Sequence, residues 1–230
     1  DALQRANEDH AFGYGSDKWT DEAVAMLKES FTPACESLFV FNGTGSNIVA
    51  LQLMVRPFHS IICAETAHIY VDECGSPVKN TGAQIRPVLT PDGKLTPELI
   101  RPYLHGFGDQ HHSQPGAIYL SQCTELGTVY TPVELKALTS LAHEHGMYVH
   151  MDGARIANAC AYLKTSLKQI TADCGIDVLS FGGTKNGLMM GECVVIFNEE
   201  LKASAAFVRK QSAQLASKMR YLSCQFTAYL

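Results

Sequence analysis

The sequence predicts an α/β fold built on a mostly parallel, doubly wound sheet. Three observations predict it. Short apolar runs of strand length alternate with stretches of helical apolar spacing, the pattern of βα units joined by right-handed crossovers. A glycine-rich turn, Asn42-Gly-Thr-Gly-Ser-Asn47, stands between one such run and an apolar helix. Two further runs end in polar residues, His150-Met-Asp-Gly-Ala-Arg155 and Ser180-Phe-Gly-Gly-Thr-Lys-Asn186. In a parallel sheet, residues just past strand ends face one ligand crevice.

The elements follow in order. Residues 21–31 carry Ala23, Val24, Leu27 and Phe31 at helical spacing, with Thr20 as N-cap. Residues 38–41 form a strand, and the glycine turn then opens a helix that runs through Met54. Strands follow at 60–63 and 85–89, the second closed by the turn Pro91-Asp-Gly93. Residues 95–104 predict a helix, and the polar, Gly- and His-rich residues 105–115 a loop. After a strand at 117–120 comes a helix over 132–145, with Pro132 in its first turn, where a missing N–H is harmless. Strands at 147–151, 177–181 and 193–197 follow, with a helix over roughly 154–173 between the first two and another starting near Glu199. The segment from Arg220 to Leu230 reads as an element in progress, and the chain begins with Asp1 rather than methionine, so both ends read as truncated. The expected organisation is an incomplete N-terminal segment over 1–35, a ligand-binding large domain over 36–215, and the start of a C-terminal region over 216–230.

Composition narrows the function classes. Apolar residues make up 46% of the 230, enough for a large core, and charged residues only 18%, which argues against disorder. A net charge of −5 argues against a general binder of nucleic acid or acidic membranes, and no apolar run reaches the roughly 20 residues of a membrane span. The eight cysteines show no C-x-x-C spacing, and several sit in apolar runs such as Ile61-Ile-Cys-Ala64. They read as buried reduced thiols, which indicates a reducing, cytoplasmic compartment and no zinc site.

The chemistry lies in the strand-end segments. Lys185 follows Asp152 by 33 positions (185 − 152). A buried lysine with a carboxylate across a shared crevice suits pyridoxal phosphate: the amine condenses with its aldehyde, and the carboxylate keeps its ring nitrogen protonated. Each residue has a plainer reading as well. Lys185 fits a surface lysine in a glycine turn, and Asp152 fits a helix cap. Arg155, on the same helical face as position 152, either binds a carboxylate or the cofactor's phenolic oxygen, or pairs with Asp152. Gly43, Thr44 and Gly45 form an anion site at a helix N-terminus. Gly43 and Gly45 equally supply two glycines of a dinucleotide fingerprint, with Glu65 following 20 residues after Gly45 and Ile48 in place of the third glycine, so a nicotinamide oxidoreductase is the rival class. His68 follows a strand end and either stacks on a flat ring, moves a proton, or is structural. Thr124 and Glu125 line the crevice or cap a turn. His105, Asp109, His111 and His112 lack a rigid i, i+4 pair and read as solvated rather than metal-binding.

Taken together, seven stretches resemble the low-specificity L-threonine aldolases, pyridoxal-phosphate enzymes of the aspartate-aminotransferase superfamily (fold type I). They are Tyr14-Gly-Ser-Asp17, Gly43-Thr-Gly-Ser-Asn47, Glu65-Thr-Ala-His-Ile-Tyr70, Thr124-Glu-Leu-Gly-Thr-Val-Tyr130, His150-Met-Asp-Gly-Ala-Arg-Ile-Ala-Asn158, Phe181-Gly-Gly-Thr-Lys-Asn-Gly187 and Leu215-Ala-Ser-Lys-Met-Arg220, in family order over nearly the whole chain. The resemblance implies that Lys185 carries the cofactor, with Thr184 beside it. It further implies that Asp152 pairs with the ring nitrogen, His68 stacks on the ring, and Arg155 meets the phenolic oxygen or the substrate carboxylate. Gly43, Thr44 and Gly45 would hold the phosphate. The reaction implied is cleavage of an L-β-hydroxy-α-amino acid to glycine and an aldehyde. Two departures stand out: Glu125 occupies the position where many relatives carry a histidine near the substrate hydroxyl, and the N-terminal serine and late arginine with which relatives hold the substrate carboxylate fall outside this chain, as does most of the small C-terminal domain. A homo-oligomer, dimer or tetramer, is expected by analogy, with Tyr14 and Lys218-Met-Arg220 crossing into a partner's site. β-Eliminating lyases and racemases would use similar groups.

Overall fold

A computed structural model describes residues 1–230. The chain runs α1 (Ala2–Ala6), α2 (Lys18–Ser30), β1 (Glu36–Val40), α3 (Gly43–Met54), β2 (His59–Ala64), α4 (His68–Val71), α5 (Ser76–Thr81) and β3 (Gln84–Val88). It continues through α6 (Pro97–Ile100), β4 (Gln114–Ser121), α7 (Pro132–Glu144), β5 (Tyr148–Gly153), α8 (Ile156–Leu163), β6 (Val178–Phe181), β7 (Glu192–Ile196), α9 (Glu199–Gln211) and α10 (Arg220–Tyr229). The seven strands form one sheet in the order β1-β7-β6-β5-β4-β2-β3. Every pairing from β6 to β3 is parallel, whereas β7 runs antiparallel to both β6 and β1. The reversal has a simple cause. Only residues 182–191 separate β6 from β7, fewer than the dozen or more that a parallel crossover needs.

Strand alternation sorts the core onto two faces. Phe39, Ile62, Ile118, Leu120, Val149, Met151, Leu179 and Phe181 point to one side, where α2, α7, α8 and α10 bury them with Leu27, Phe31, Leu138, Ile156 and Phe226. Leu38, Val40, Ile61, Cys63, Ala117, Tyr119, Val178 and Val194 point to the other, under α3 and α9. α3 is buried nearly all round, hence its lack of a polar face. Residues 1–35 and 216–230 also meet: α10 packs on α2, and Thr20 Oγ1 lies 3.0 Å from Ser223 Oγ. No helix is long and apolar enough to cross a membrane.

Four local expectations need correction. The N-cap of α2 is Asp17, not Thr20: its carboxylate accepts from Thr20 N at 2.9 Å, so the helix starts at Lys18. The helix expected over 95–104 is α6 followed by a 3₁₀ turn at Arg101–Tyr103. Pro102 has no N–H with which to continue an α-helix. The helix expected over 154–173 stops at Leu163, because Lys164 adopts a left-handed backbone (φ 52°) that ends it. The loop over 105–115 gives way to β4 already at Gln114.

Candidate active site

The carboxyl ends of the parallel strands and the start of α3 enclose a crevice of about 270 Å³. Its floor is polar because of strand parity. Positions 119, 150, 152 and 180 share the α3 side of the sheet, and there the sequence has Tyr, His, Asp and Ser where its neighbours are apolar. Asp152 is 8% exposed. Its Oδ2 accepts from Tyr119 OH at 2.6 Å and from Asn47 Nδ2 at 3.1 Å, and its Oδ1 from Ala154 N at 2.9 Å. Burial alone would push its carboxyl up; Tyr119, the Ala154 N–H and Asn47 overcome that and hold it below the usual carboxylate range. Burial, helped by the Asp152 charge, raises the Tyr119 phenol well above its ordinary value, so it stays a donor.

Asn47 also donates to Glu73 Oε1 at 2.7 Å, and the same oxygen meets His68 Nδ1 at 2.8 Å. The bond to Glu73 raises the His68 imidazole above its ordinary value, against partial burial. Glu125 Oε1 accepts from His68 N at 3.0 Å and Ser121 Oγ at 2.6 Å, which fixes its carboxylate at the crevice wall. Its Oε2 makes no hydrogen bond.

At the rim, Asn42 caps α3: its Oδ1 accepts from Gly45 N at 2.8 Å. The first N–H groups of the helix, those of Gly43 and Thr44, lack intrahelical partners and lie on the crevice. Lys185 sits on the 3₁₀ turn Thr184–Asn186 beyond β6. Glu192, at the start of β7, braces that turn, accepting from Gly183 N at 2.6 Å and Thr184 N at 3.4 Å. Burial raises the Glu192 carboxyl, with those N–H groups opposing. Gly182 is required here: a Cβ on it would come within 2.4 Å of the Ala154 carbonyl oxygen.

Gly43, Thr44, His68, Glu125, Asp152, Arg155, Thr184 and Lys185 thus line one crevice. Five expectations change. Gly45 does not line it: its N–H is taken by Asn42, and it makes room for Gln214, whose carboxamide would lie 2.4 Å from a Cβ there. Lys185 is exposed at the crevice mouth rather than buried, because the 3₁₀ turn lifts it beyond the strand end. Asp152 belongs to β5, and Arg155 stands just before α8, so the two share no helical face and form no ion pair. Thr124 faces away, bonded to Thr128 at 2.7 Å. Met219 is buried in the chain's own core at 1% exposure and so is not free to reach a partner, while Arg220 donates to Asp9 O at 3.1 Å. The loop with His105, Asp109, His111 and His112 lies at the opposite end of the sheet, before β4.

The dinucleotide alternative fails on topology. In that fold the acidic residue ends the strand beside the glycine turn. Here β7, β6, β5 and β4 stand between β1 and β2, and Glu65 Oε2 is occupied by Thr90 Oγ1 at 2.9 Å. The residues that sequence reasoning missed are Asn47, Glu73, Tyr119, Ser121, Ser180 and Glu192. All are polar residues set into or beside otherwise apolar elements.

A family profile described as beta-eliminating lyase matches residues 1–226. The low specificity L-threonine aldolase of Pseudomonas aeruginosa is 44% identical over 230 residues, all of this chain and 66% of that protein. The solved threonine aldolase of Leishmania major superposes with a TM-score of 0.92 at 33% identity, over 98% of this chain and 66% of that one. Thermus thermophilus aspartate aminotransferase, at 16% identity and a TM-score of 0.68, shares the fold. The chain therefore spans just under two thirds of the length of these first two proteins, at 66% of each.

Proposed function

The chain belongs to the beta-eliminating lyase family, and on that premise we propose that it is the cofactor-binding part of a pyridoxal-phosphate-dependent L-threonine aldolase. Its substrates are L-threonine, L-allo-threonine and related L-β-hydroxy-α-amino acids, cleaved to glycine and an aldehyde. One observation carries the reading: a single crevice holds an unpaired lysine, a buried aspartate held in its charged form, and two open N–H groups at a helix start.

The donor set fits pyridoxal phosphate. The Gly43 and Thr44 N–H groups at the positive end of α3 suit its phosphate, with the Thr184 hydroxyl across the crevice. Lys185 has no ion pair to give up before it condenses with an aldehyde. Bound there, the cofactor supplies a carbonyl carbon that amines attack and a ring that accepts electrons.

The chain's own residues do the rest. Lys185 would hold the cofactor through its amine and, once the substrate amine replaced it, would be free to carry a proton to the α-carbon of the product glycine. Asp152 holds the proton on the ring nitrogen; opposite charges about 4 Å apart attract by about 4 kcal/mol at an effective permittivity near 20. His68, oriented by Glu73, would hold the ring from one side. Arg155, free of any ion pair, takes the substrate carboxylate or the phenolic oxygen. Glu125, fixed through Oε1, uses its open Oε2 as the base that removes the β-hydroxyl proton while the Cα–Cβ bond breaks. The working unit is a cytoplasmic homo-oligomer, dimer or tetramer, acting in threonine breakdown and glycine formation; eight free cysteines accord with a reducing compartment. Residues 36–215 form its large domain, flanked by the N-terminal segment 1–35 and by 216–230 as the start of the C-terminal region.

The test is direct. The purified protein with pyridoxal phosphate should develop an absorption band that borohydride abolishes, and should release glycine from L-threonine. Lys185→Ala should lose the borohydride-trapped adduct while keeping the fold. An undiminished adduct in that variant would overturn the assignment.

A further inference from the structure

Donor and acceptor accounting fixes the sense of the hydrogen bonds beneath the crevice. Asn47 Nδ2 lies between two carboxylate oxygens, Asp152 Oδ2 at 3.1 Å and Glu73 Oε1 at 2.7 Å. Only the NH₂ end of an amide can sit between two acceptors. Its carbonyl oxygen therefore faces Ser180 Oγ at 2.9 Å, and that hydroxyl must donate. Ser180 has a single proton, so it accepts from its other two partners, Ser46 Oγ at 2.8 Å and His150 Nε2 at 3.0 Å. His150 is thus the Nε2–H tautomer. The other ring nitrogen agrees: Nδ1 is buried and has no partner. Every bond then runs one way, from His150 to Ser180 to Asn47 to Asp152.

Nothing in this chain is peripheral: His150, Ser180 and Asn47 are 0%, 4% and 1% exposed. If the Asn47 amide turned over, its oxygen would face two carboxylates and two donors would be lost to them. Asn47 cannot set its own sense, since both ends of an amide are nearly the same shape. The two carboxylates set it, and Ser180, itself held by His150 and Ser46, anchors the amide oxygen in that sense.

We propose that Ser180 and His150 are positioning residues for the reaction read above: they anchor the oxygen end of Asn47 so that its NH₂ stays on Asp152, and so hold that carboxylate toward the cofactor's ring nitrogen. The inference rests on the proposed function, because it assigns Asp152 to that nitrogen. The charged and titratable groups around Asp152 are Tyr119 from β4, His68 and Glu73 from α4 and the link after it, Lys185 from the turn after β6, and Glu192 from β7. Burial lowers the His150 imidazole to about 4, so it stays neutral while Asp152 is charged.

The experiment loads the protein with pyridoxal phosphate labelled at the ring nitrogen and follows that nitrogen's protonation by NMR. Ser180→Ala should lower its titration midpoint by about one pH unit, the equivalent of a tenfold loss of basicity. Ser180→Thr, which keeps the hydroxyl, should restore it. An alanine variant with the midpoint of the unaltered protein overturns the proposal. A second measurement needs neither cofactor nor variant: the imidazole nitrogens of His150 should report a neutral ring protonated at Nε2. Protonation at Nδ1 instead would reverse the chain and overturn it equally. If the unaltered protein traps no cofactor on Lys185, the functional reading itself falls and this inference with it. A trapped cofactor with an unmoved midpoint rejects the relay alone.

Discussion

Tyr119→Phe isolates one bond to the buried carboxylate. The tyrosine is fully buried, and phenylalanine keeps its ring packing, so the variant loses little beyond a hydroxyl. That hydroxyl donates to Asp152 Oδ2 at 2.6 Å, a short charge-assisted bond. Bonds to charged groups contribute about 1.5–3 kcal/mol net. For a chain of this size each kcal/mol moves the melting temperature by about 2–4 °C, so Tm should fall by about 3–12 °C at neutral pH. The pH dependence carries a sign. Asp152 is depressed when folded: burial pushes it up, but Tyr119, the Ala154 N–H and Asn47 more than offset this. A depressed group contributes stability that is present above its unfolded pKa and lost as pH falls through its folded pKa. Without the hydroxyl the folded value rises, so the variant protonates Asp152 earlier during acidification. The stability gap should therefore narrow as pH falls through the variant's folded value toward the parent's, which lies below the usual carboxylate range. Urea titrations of the cofactor-free protein at several pH values measure this. A variant as stable as the parent at neutral pH, or a gap unchanged on acidification, refutes the account.

Asp152→Asn keeps the shape and removes the charge; threonine cleavage should slow by several orders of magnitude while cofactor affinity falls far less, and near-normal turnover would reduce Asp152 to a structural turn residue. Glu73→Gln should lower the His68 pKa toward its ordinary value, since the bond to Glu73 is the main cause of its elevation. Stability from a raised histidine is full below its unfolded pKa and lost as pH rises through the folded one, so the variant's deficit should shrink on that rise; an unmoved NMR titration of His68 counts against the pairing. Gly182→Ala should cost about 1–3 kcal/mol or more, because backbone cannot retreat from a Cβ 2.4 Å from the Ala154 carbonyl oxygen. Gly43→Ala, where a Cβ meets nothing within 4 Å, should be near neutral, and equal denaturation midpoints for the two variants would contradict the packing argument.

Much of the fold was legible because strands and helices carry local periodicity. The helix through Met54 was read with the right end, though the glycine turn before it proved to be its own first turn, and the strands were read within about three residues. Crevice residues were legible where they sit at or just beyond strand ends, as with His68, Asp152 and Lys185. What stayed hidden was long-range. Asn47 meets Asp152 across 105 positions and Ser180 across 133, and no local signal links them. A trace existed nonetheless. Tyr119, His150 and Ser180 interrupt apolar strands, and register brings Tyr119 beside His150 and Asp152 beside Ser180. Such interruptions at equivalent heights of adjacent strands point to a shared buried polar layer. Lys185 looked buried from its apolar strand, but the glycine-rich turn carries it out of the sheet.

The reversed strand β7 has a consequence for how the molecule assembles. β1 pairs with nothing else in the sheet, so it finds a partner only across the 152 positions from Val40 to Glu192 (192 − 40). Closing a loop that long costs about 4 kcal/mol of chain entropy, before any contact repays it. Meanwhile β2, β3 and β4 can pair among near neighbours. The turn at Gly43 hangs from β1, so that wall of the crevice depends on this late pairing, whereas the lysine turn is braced within the local β6–β7 pair. A partly folded chain with strands β2 to β7 in place would lack the Gly43 wall. Ligand capture then becomes a report that β1 has closed on β7, and the phosphate-binding turn stays unanchored until β7 arrives.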